Sequence, residues 1–232
     1  MEVGASTHVG KVRPNNEDGY LVRDGLLAVA DGMGGHRAGE VASATALAVL
    51  RDYPFGPGDP SAELAAAVQA AHSRVRALAS QDPSMSGMGT TVTVARVTGD
   101  RVYVAHVGDS RLYLWRAGQL HQVTADHSVA AELLRAGQID EVAARFHPHR
   151  HILTRAVGVG DQLDVDVTDL PLEPGDGLLL CTDGLTALVD DADIARVLLE
   201  QPTPQAAADA LVELALARGG TDNVTVVVAR AD

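Results

Sequence analysis

Apolar positions along this chain follow two spacings. Between Ala38 and Asp52, the residues Val41, Ala44, Thr45, Ala48 and Val49 come near helical spacing. Farther on, Leu64, Ala67, Val68, Ala71, Val75 and Leu78 form a cleaner helical stripe, with Asp59 as its cap and Pro60 in its first turn. Elsewhere the pattern is that of short strands: Thr7–Val9, Tyr20–Arg23 and Leu26–Ala30 near the start, then a meander of Thr90–Val97, Arg101–Val107, Arg111–Trp115 and Leu120–Val123. Short helices over Ser128–Ala136 and Ile139–Ala144 read as an insertion. Strands are expected again at Leu163–Val167 and Leu178–Cys181, helices at Asp191–Glu200 and Pro204–Arg218, and a closing strand at Val224–Ala229. Strands come in runs and helices in pairs. That order predicts an α+β fold, an antiparallel β-sandwich flanked by helix pairs (α-β-β-α layers), in one domain over residues 1–232.

Composition narrows the class. Hydrophobic residues make up 46% of the 232 and aromatic residues only 3%, so Ala, Val and Leu must fill the core of a folded protein. The 31 acidic residues outnumber the 18 basic ones, a formal net charge of −13. Such a chain repels nucleic acid and anionic membrane surfaces. A single cysteine, Cys181, excludes a disulfide framework and a Cys-rich zinc site. There is no signal-like start and no membrane-length apolar run, so a cytoplasmic location is expected.

Candidate chemistry lies where strands end. Three apolar runs lead straight into an aspartate: Ala28-Val29-Ala30-Asp31-Gly32, His106-Val107-Gly108-Asp109 and Leu180-Cys181-Thr182-Asp183-Gly184. A fourth, Asp222, leads into Val224–Val228. In an antiparallel sheet one strand's start lies beside its neighbour's end, so all four carboxylates can gather at one rim, and Asp18 can join them. One Asp-Gly is usually a turn, but clustered carboxylates take up protons unless a cation neutralises them. Oxygen-only donors suit Mg²⁺ or Mn²⁺, and a glycine carbonyl can serve as a further ligand. Two such ions would sharpen a bridging water to hydroxide and clamp a phosphate, whose oxygens the fork of Arg13 also matches.

Arg13 with Asn16-Glu17-Asp18, Val29-Ala30-Asp31-Gly32-Met33-Gly34-Gly35-His36, Gly87-Met88-Gly89-Thr90-Thr91, Val107-Gly108-Asp109-Ser110-Arg111, Thr182-Asp183-Gly184-Leu185 and Gly220-Thr221-Asp222-Asn223-Val224-Thr225 occur in order. The sequence thereby resembles the metal-dependent protein phosphatases of the type 2C (PPM) family, in particular its small bacterial members, from Arg13 to about Val228. The resemblance implies hydrolysis of phosphoserine and phosphothreonine in proteins by a hydroxide bridging a dinuclear Mn²⁺/Mg²⁺ centre. It implies that Asp31 bridges both ions, that Asp183 and Asp222 hold the first, and that the Gly32 carbonyl holds the second. Asp18 would hold metal-bound waters with Glu17 nearby, Asp109 and Asp183 would bind a weaker third ion, and Arg13 would hold the substrate phosphate. Residues 126–155 match the family's variable flap, which influences substrate choice. The implied partners are phosphorylated proteins, substrates of a bacterial serine/threonine kinase, met by a monomeric enzyme. Met33 stands where many eukaryotic members carry a proposed general-acid histidine. His36 reads better as part of the helix start than as that acid.

The remaining histidines and Cys181 have plainer readings. His147, His149 and His151, with His127 upstream, lack tetrahedral zinc spacing and read as a solvated loop. His106 and Cys181 read as core residues. Two alternatives use the same fold: a pseudophosphatase that binds phosphoproteins without cleaving them, and a regulatory-switch phosphatase dedicated to one partner. The intact set of Asp31, Asp183 and Asp222 argues against the first.

Overall fold

The computed structural model describes residues 1–34 and 38–232. Two antiparallel sheets face each other. One has the order β1-β11-β10-β7-β8, from Glu2–His8 (β1), Arg111–Arg116 (β7), Gln119–Gln122 (β8), Gly177–Cys181 (β10) and Val224–Arg230 (β11). The other runs β2-β3-β5-β6-β9, from Asp18–Arg23 (β2), Leu26–Met33 (β3), Val92–Thr98 (β5), Arg101–Val107 (β6) and Asp166–Pro171 (β9), with Gly89–Thr90 (β4) also on β3. Helices α1 (Ala38–Asp52) and α2 (Pro60–Gln81) cover the second sheet. Helices α6 (Asp191–Glu200) and α7 (Pro204–Ala217) cover the first, beside the short α5 (Asp183–Thr186). Two short helices, α3 (Val129–Arg135) and α4 (Glu141–Arg145), stand in the insertion. Among the described residues no helix is long and apolar enough to cross a membrane.

Alternation along each strand explains the layering. In β3, Leu26, Ala28 and Ala30 pack under α1 and α2, while Leu27 and Val29 enter the space between the sheets. In β10, Leu179 and Cys181 face α6 and α7, while Leu178 and Leu180 meet the opposite sheet. Both faces of these strands are covered, and that is why they read as unbroken apolar runs. The α-β-β-α expectation therefore holds.

Boundaries moved where local signals are weak. The first strand spans Glu2–His8 rather than Thr7–Val9, because Gly4 and small neighbours dilute its pattern. Gly4 is required there: a Cβ would lie 2.2 Å from the backbone nitrogen of Gln205 on α7. The expected strand Leu163–Val167 forms instead at Asp166–Pro171. Leu163 and Val165 pack into the helix-side core as irregular chain, whereas the polar edge strand β9 pairs with β6. The Thr90–Val97 strand divides at Thr91.

Candidate metal centre

Asp31 lies inside β3, not beyond its end, and pairs in register with Asp18 of β2. Asp109 follows β6, Asp183 opens α5, and Asp222 precedes β11, all at one rim of the sandwich. Burial, followed by the charges of Asp18, Asp183, Asp109 and Asp222, holds the Asp31 carboxyl well above the ordinary carboxylate range. Burial and then Asp183 act on Asp109 in the same direction. Asp18 is pushed up to about 7, mainly by burial, although Thr182 donates a 2.7 Å hydrogen bond to its Oδ2. Asp18 Oδ1 is buried without any partner. Glu17, beside it, is raised chiefly by burial. These aspartates thus lie close enough to feel one another's charge.

The backbone around the cluster is tightly specified. The Thr91 hydroxyl accepts the Asp31 N–H at 2.9 Å, and the Thr90 hydroxyl and Thr91 N–H both donate to the Asp31 carbonyl at 2.9 Å. A Cβ on Gly32 would lie 2.0 Å from the Gly39 carbonyl oxygen, and one on Gly184 would lie 1.8 Å from that of Asn223. Neither position tolerates a side chain. Asn223, to which the sequence alone assigns no role, ties three segments together. Its Nδ2 donates to the carbonyls of Val9 (2.8 Å) and Asn15 (2.9 Å), and its Oδ1 accepts the Glu17 N–H at 2.8 Å. Its own N–H donates to Asp222 Oδ1 at 2.9 Å. The acidic Asn15–Asp18 stretch is thereby fixed against the Asp222 turn.

Arg13 reaches the same rim, where its Nη2 donates to Asp222 Oδ2 at 2.8 Å. The family resemblance implies a phosphate as its partner; in this structure it rests on a carboxylate. The sequence predicts His151 in a solvated loop. It is exposed, but its Nδ1 lies 3.5 Å from Asp183 Oδ2, which brings the insertion to the rim. His127 corrects the loop reading outright. It is fully buried, its Nδ1 accepts the Gly108 N–H at 3.1 Å, and its Nε2 sits 3.0 Å from Asp166 Oδ2. No local signal marks it, because its partners come from the turn after β6 and from β9. His106 and Cys181 are core residues as expected. His36 lies outside the described residues.

Among the described residues, no three Asp, Glu, His or Cys side chains close on a point as a complete cage for an ion. The donors nevertheless fit a hard divalent cation. They are all oxygen, they repel one another when charged, and one buried carboxylate oxygen lacks any partner. Mg²⁺-like ions keep several waters and take only a few protein oxygens, so an incomplete cage with the Gly32 carbonyl at hand suits them.

Residues 15–215 match the family model for protein phosphatase 2C. The chain is 43% identical over 231 residues to the serine/threonine protein phosphatase PstP of Mycobacterium tuberculosis, covering 99% of this chain but 45% of that protein. It is 38% identical over 243 residues to the serine/threonine phosphatase stp of Listeria monocytogenes, covering 100% of this chain and 96% of that one. A crystal structure of the M. tuberculosis phosphatase PstP/Ppp superposes with a TM-score of 0.95 at 42% identity, covering 100% of this chain and 98% of that chain. A structure of the PstP catalytic domain in complex with two manganese ions gives 0.92 at 41% identity, with the same coverage. The match spans most of the chain, and the chain belongs to the protein phosphatase 2C family.

Proposed function

We propose that this chain is a Mn²⁺- or Mg²⁺-dependent phosphatase that hydrolyses phosphoserine and phosphothreonine in proteins. The observation that carries this reading is the gathering of Asp18, Asp31, Asp109, Asp183 and Asp222 at one rim, with Arg13 among them and a buried carboxylate oxygen left unpartnered. Bound divalent ions supply Lewis acidity, neutralising phosphoryl oxygens and lowering the pKa of water.

Within that reading, Asp31, Asp183, Asp222 and the Gly32 carbonyl would hold two ions, and Asp109 with Asp183 would hold a weaker third. Asp18 and Glu17 orient water behind them. Thr182 fixes Asp18, and Thr90 and Thr91 fix the Asp31 backbone. Asp222 can serve either Arg13 or a cation. Asp222 would help hold an ion, and the planar fork of the Arg13 guanidinium would pair with two oxygens of an incoming phosphate. The substrates follow from the names of the relatives, serine/threonine protein phosphatases, and an opposing serine/threonine kinase would supply them. Residues 1–232 act as one catalytic domain with a flap at 126–155, as a monomer, in the reducing compartment that a lone buried Cys181 suits.

Activity on p-nitrophenyl phosphate and on a phosphothreonine peptide tests this reading. Chelation with excess EDTA is expected to abolish both activities and Mn²⁺ to restore them. Altering a residue that only supports a metal ligand typically costs about 10–100-fold, so Asp31→Asn, which changes a ligand itself, should cost about 100-fold or more. Undiminished turnover in EDTA would overturn the proposal.

A further inference from the structure

The longest stretch of the chain without an acidic residue runs from Val142 to Gly160, in a protein of net charge −13. It holds three arginines and three histidines. Most arginines of the molecule pair with a carboxylate, as Arg96 does with Glu63 and Arg116 with Asp176. Arg145 and Arg150 are exposed and make no ion pair or side-chain hydrogen bond with any described residue. Between them Phe146 is 74% exposed. The segment is not slack. The Phe146 N–H donates to the Val142 carbonyl, His147 to Ala144, Arg150 to His147 and Ile152 to His149, in consecutive turns. Its far end reaches the candidate centre, with His151 Nδ1 3.5 Å from Asp183 Oδ2, and Arg150 is the adjacent residue.

We infer that Arg145, Phe146 and Arg150 form a docking surface for the residues flanking the phosphorylated position, and that it selects acidic flanks. This rests on the phosphatase reading above and names the substrate class for the same site. Beyond a Debye length of about 8 Å, the net charge of the protein is screened, so an approaching peptide responds to the charges it touches. Along the turns that lead to His151 those charges are two guanidiniums without a partner among the described residues, with an exposed ring between them as an apolar anchor. A peptide with Asp or Glu beside its phosphoresidue finds counter-charges there. A basic peptide finds like charges. The ordered turns reduce the entropy lost on docking.

Two phosphothreonine peptides of equal length, one with acidic and one with basic flanks, test the inference with Mn²⁺ present. At about 0.15 M ionic strength the acidic peptide should have the higher kcat/KM by about tenfold, the scale of two exposed charge pairs. That preference should shrink in high salt. In the Arg145→Glu/Arg150→Glu double variant the ratio should fall to one or reverse, and in Arg145→Gln/Arg150→Gln it should fall part of the way. Thermal unfolding by circular dichroism verifies that both variants are folded. Equal turnover of the two peptides by the unaltered protein, or a ratio indifferent to the substitutions, overturns the docking surface while leaving the phosphatase reading intact. Turnover of neither peptide by folded, Mn²⁺-supplemented protein overturns the phosphatase reading and this inference with it.

Discussion

At the scale of single residues, the rim is a set of mutually repelling carboxylates held together by neutral neighbours. Thr182, Thr90, Thr91 and Asn223 do that holding. The acids were legible in the sequence because Asp follows or precedes apolar runs. The neutral neighbours were not, because a threonine or asparagine declares a long-range partner only once the chain has folded. Asn223 is the strongest case, since it is nearly buried and satisfies three backbone groups from the N-terminal segment. Asn223→Ala is expected to lower stability by about 2–3 kcal/mol, measured by urea unfolding of the metal-free protein, since several buried partners lose their bonds together. A loss under 0.5 kcal/mol, the scatter of ordinary surface changes, would show that water replaces the asparagine without cost.

At the scale of elements, continuous apolar runs located the central strands, and alternation assigned their two faces. Edge strands gave weaker signals. The apolar pattern of Leu163 and Val165 points to a strand ahead of polar β9, but those two residues pack as irregular chain. Strand β6 carries a measurable consequence of burial between layers. His106 within it hydrogen-bonds the Thr93 hydroxyl at 2.9 Å and the Ala125 carbonyl at 3.2 Å. Burial first, and then the neighbouring His127, push its pKa down to about 3. In the unfolded chain an imidazole titrates near 6.5. The unfolded state therefore binds the extra proton between those values, so this contribution to stability is complete above about pH 6.5 and is lost as pH falls towards 3. One proton contributes a slope of at most about 1.4 kcal/mol per pH unit. Urea unfolding at pH 7 and pH 5 should show the native protein losing more stability on acidification than His106→Gln, with both in EDTA to keep metal-linked protons out. Equal losses would contradict the burial of a neutral ring.

At the scale of the whole molecule, an antiparallel sandwich brings the start of one strand beside the end of another, and that rule lets Asp31, Asp109, Asp183 and Asp222 gather at one rim. The rule did not reveal which other segments would arrive there. Arg13 came to rest on Asp222, and the insertion came across to Asp183 through His151. Both contacts depend on loop paths that no periodicity encodes. The account stands on the claim that this rim holds divalent cations. Crystals soaked in Mn²⁺, with anomalous differences collected at the manganese edge, test it most directly. The prediction is two strong peaks touching the Asp31 carboxylate, one of them also within coordinating distance of Asp183 and Asp222. A map with no anomalous peak among these aspartates, at Mn²⁺ concentrations that saturate activity, would contradict it.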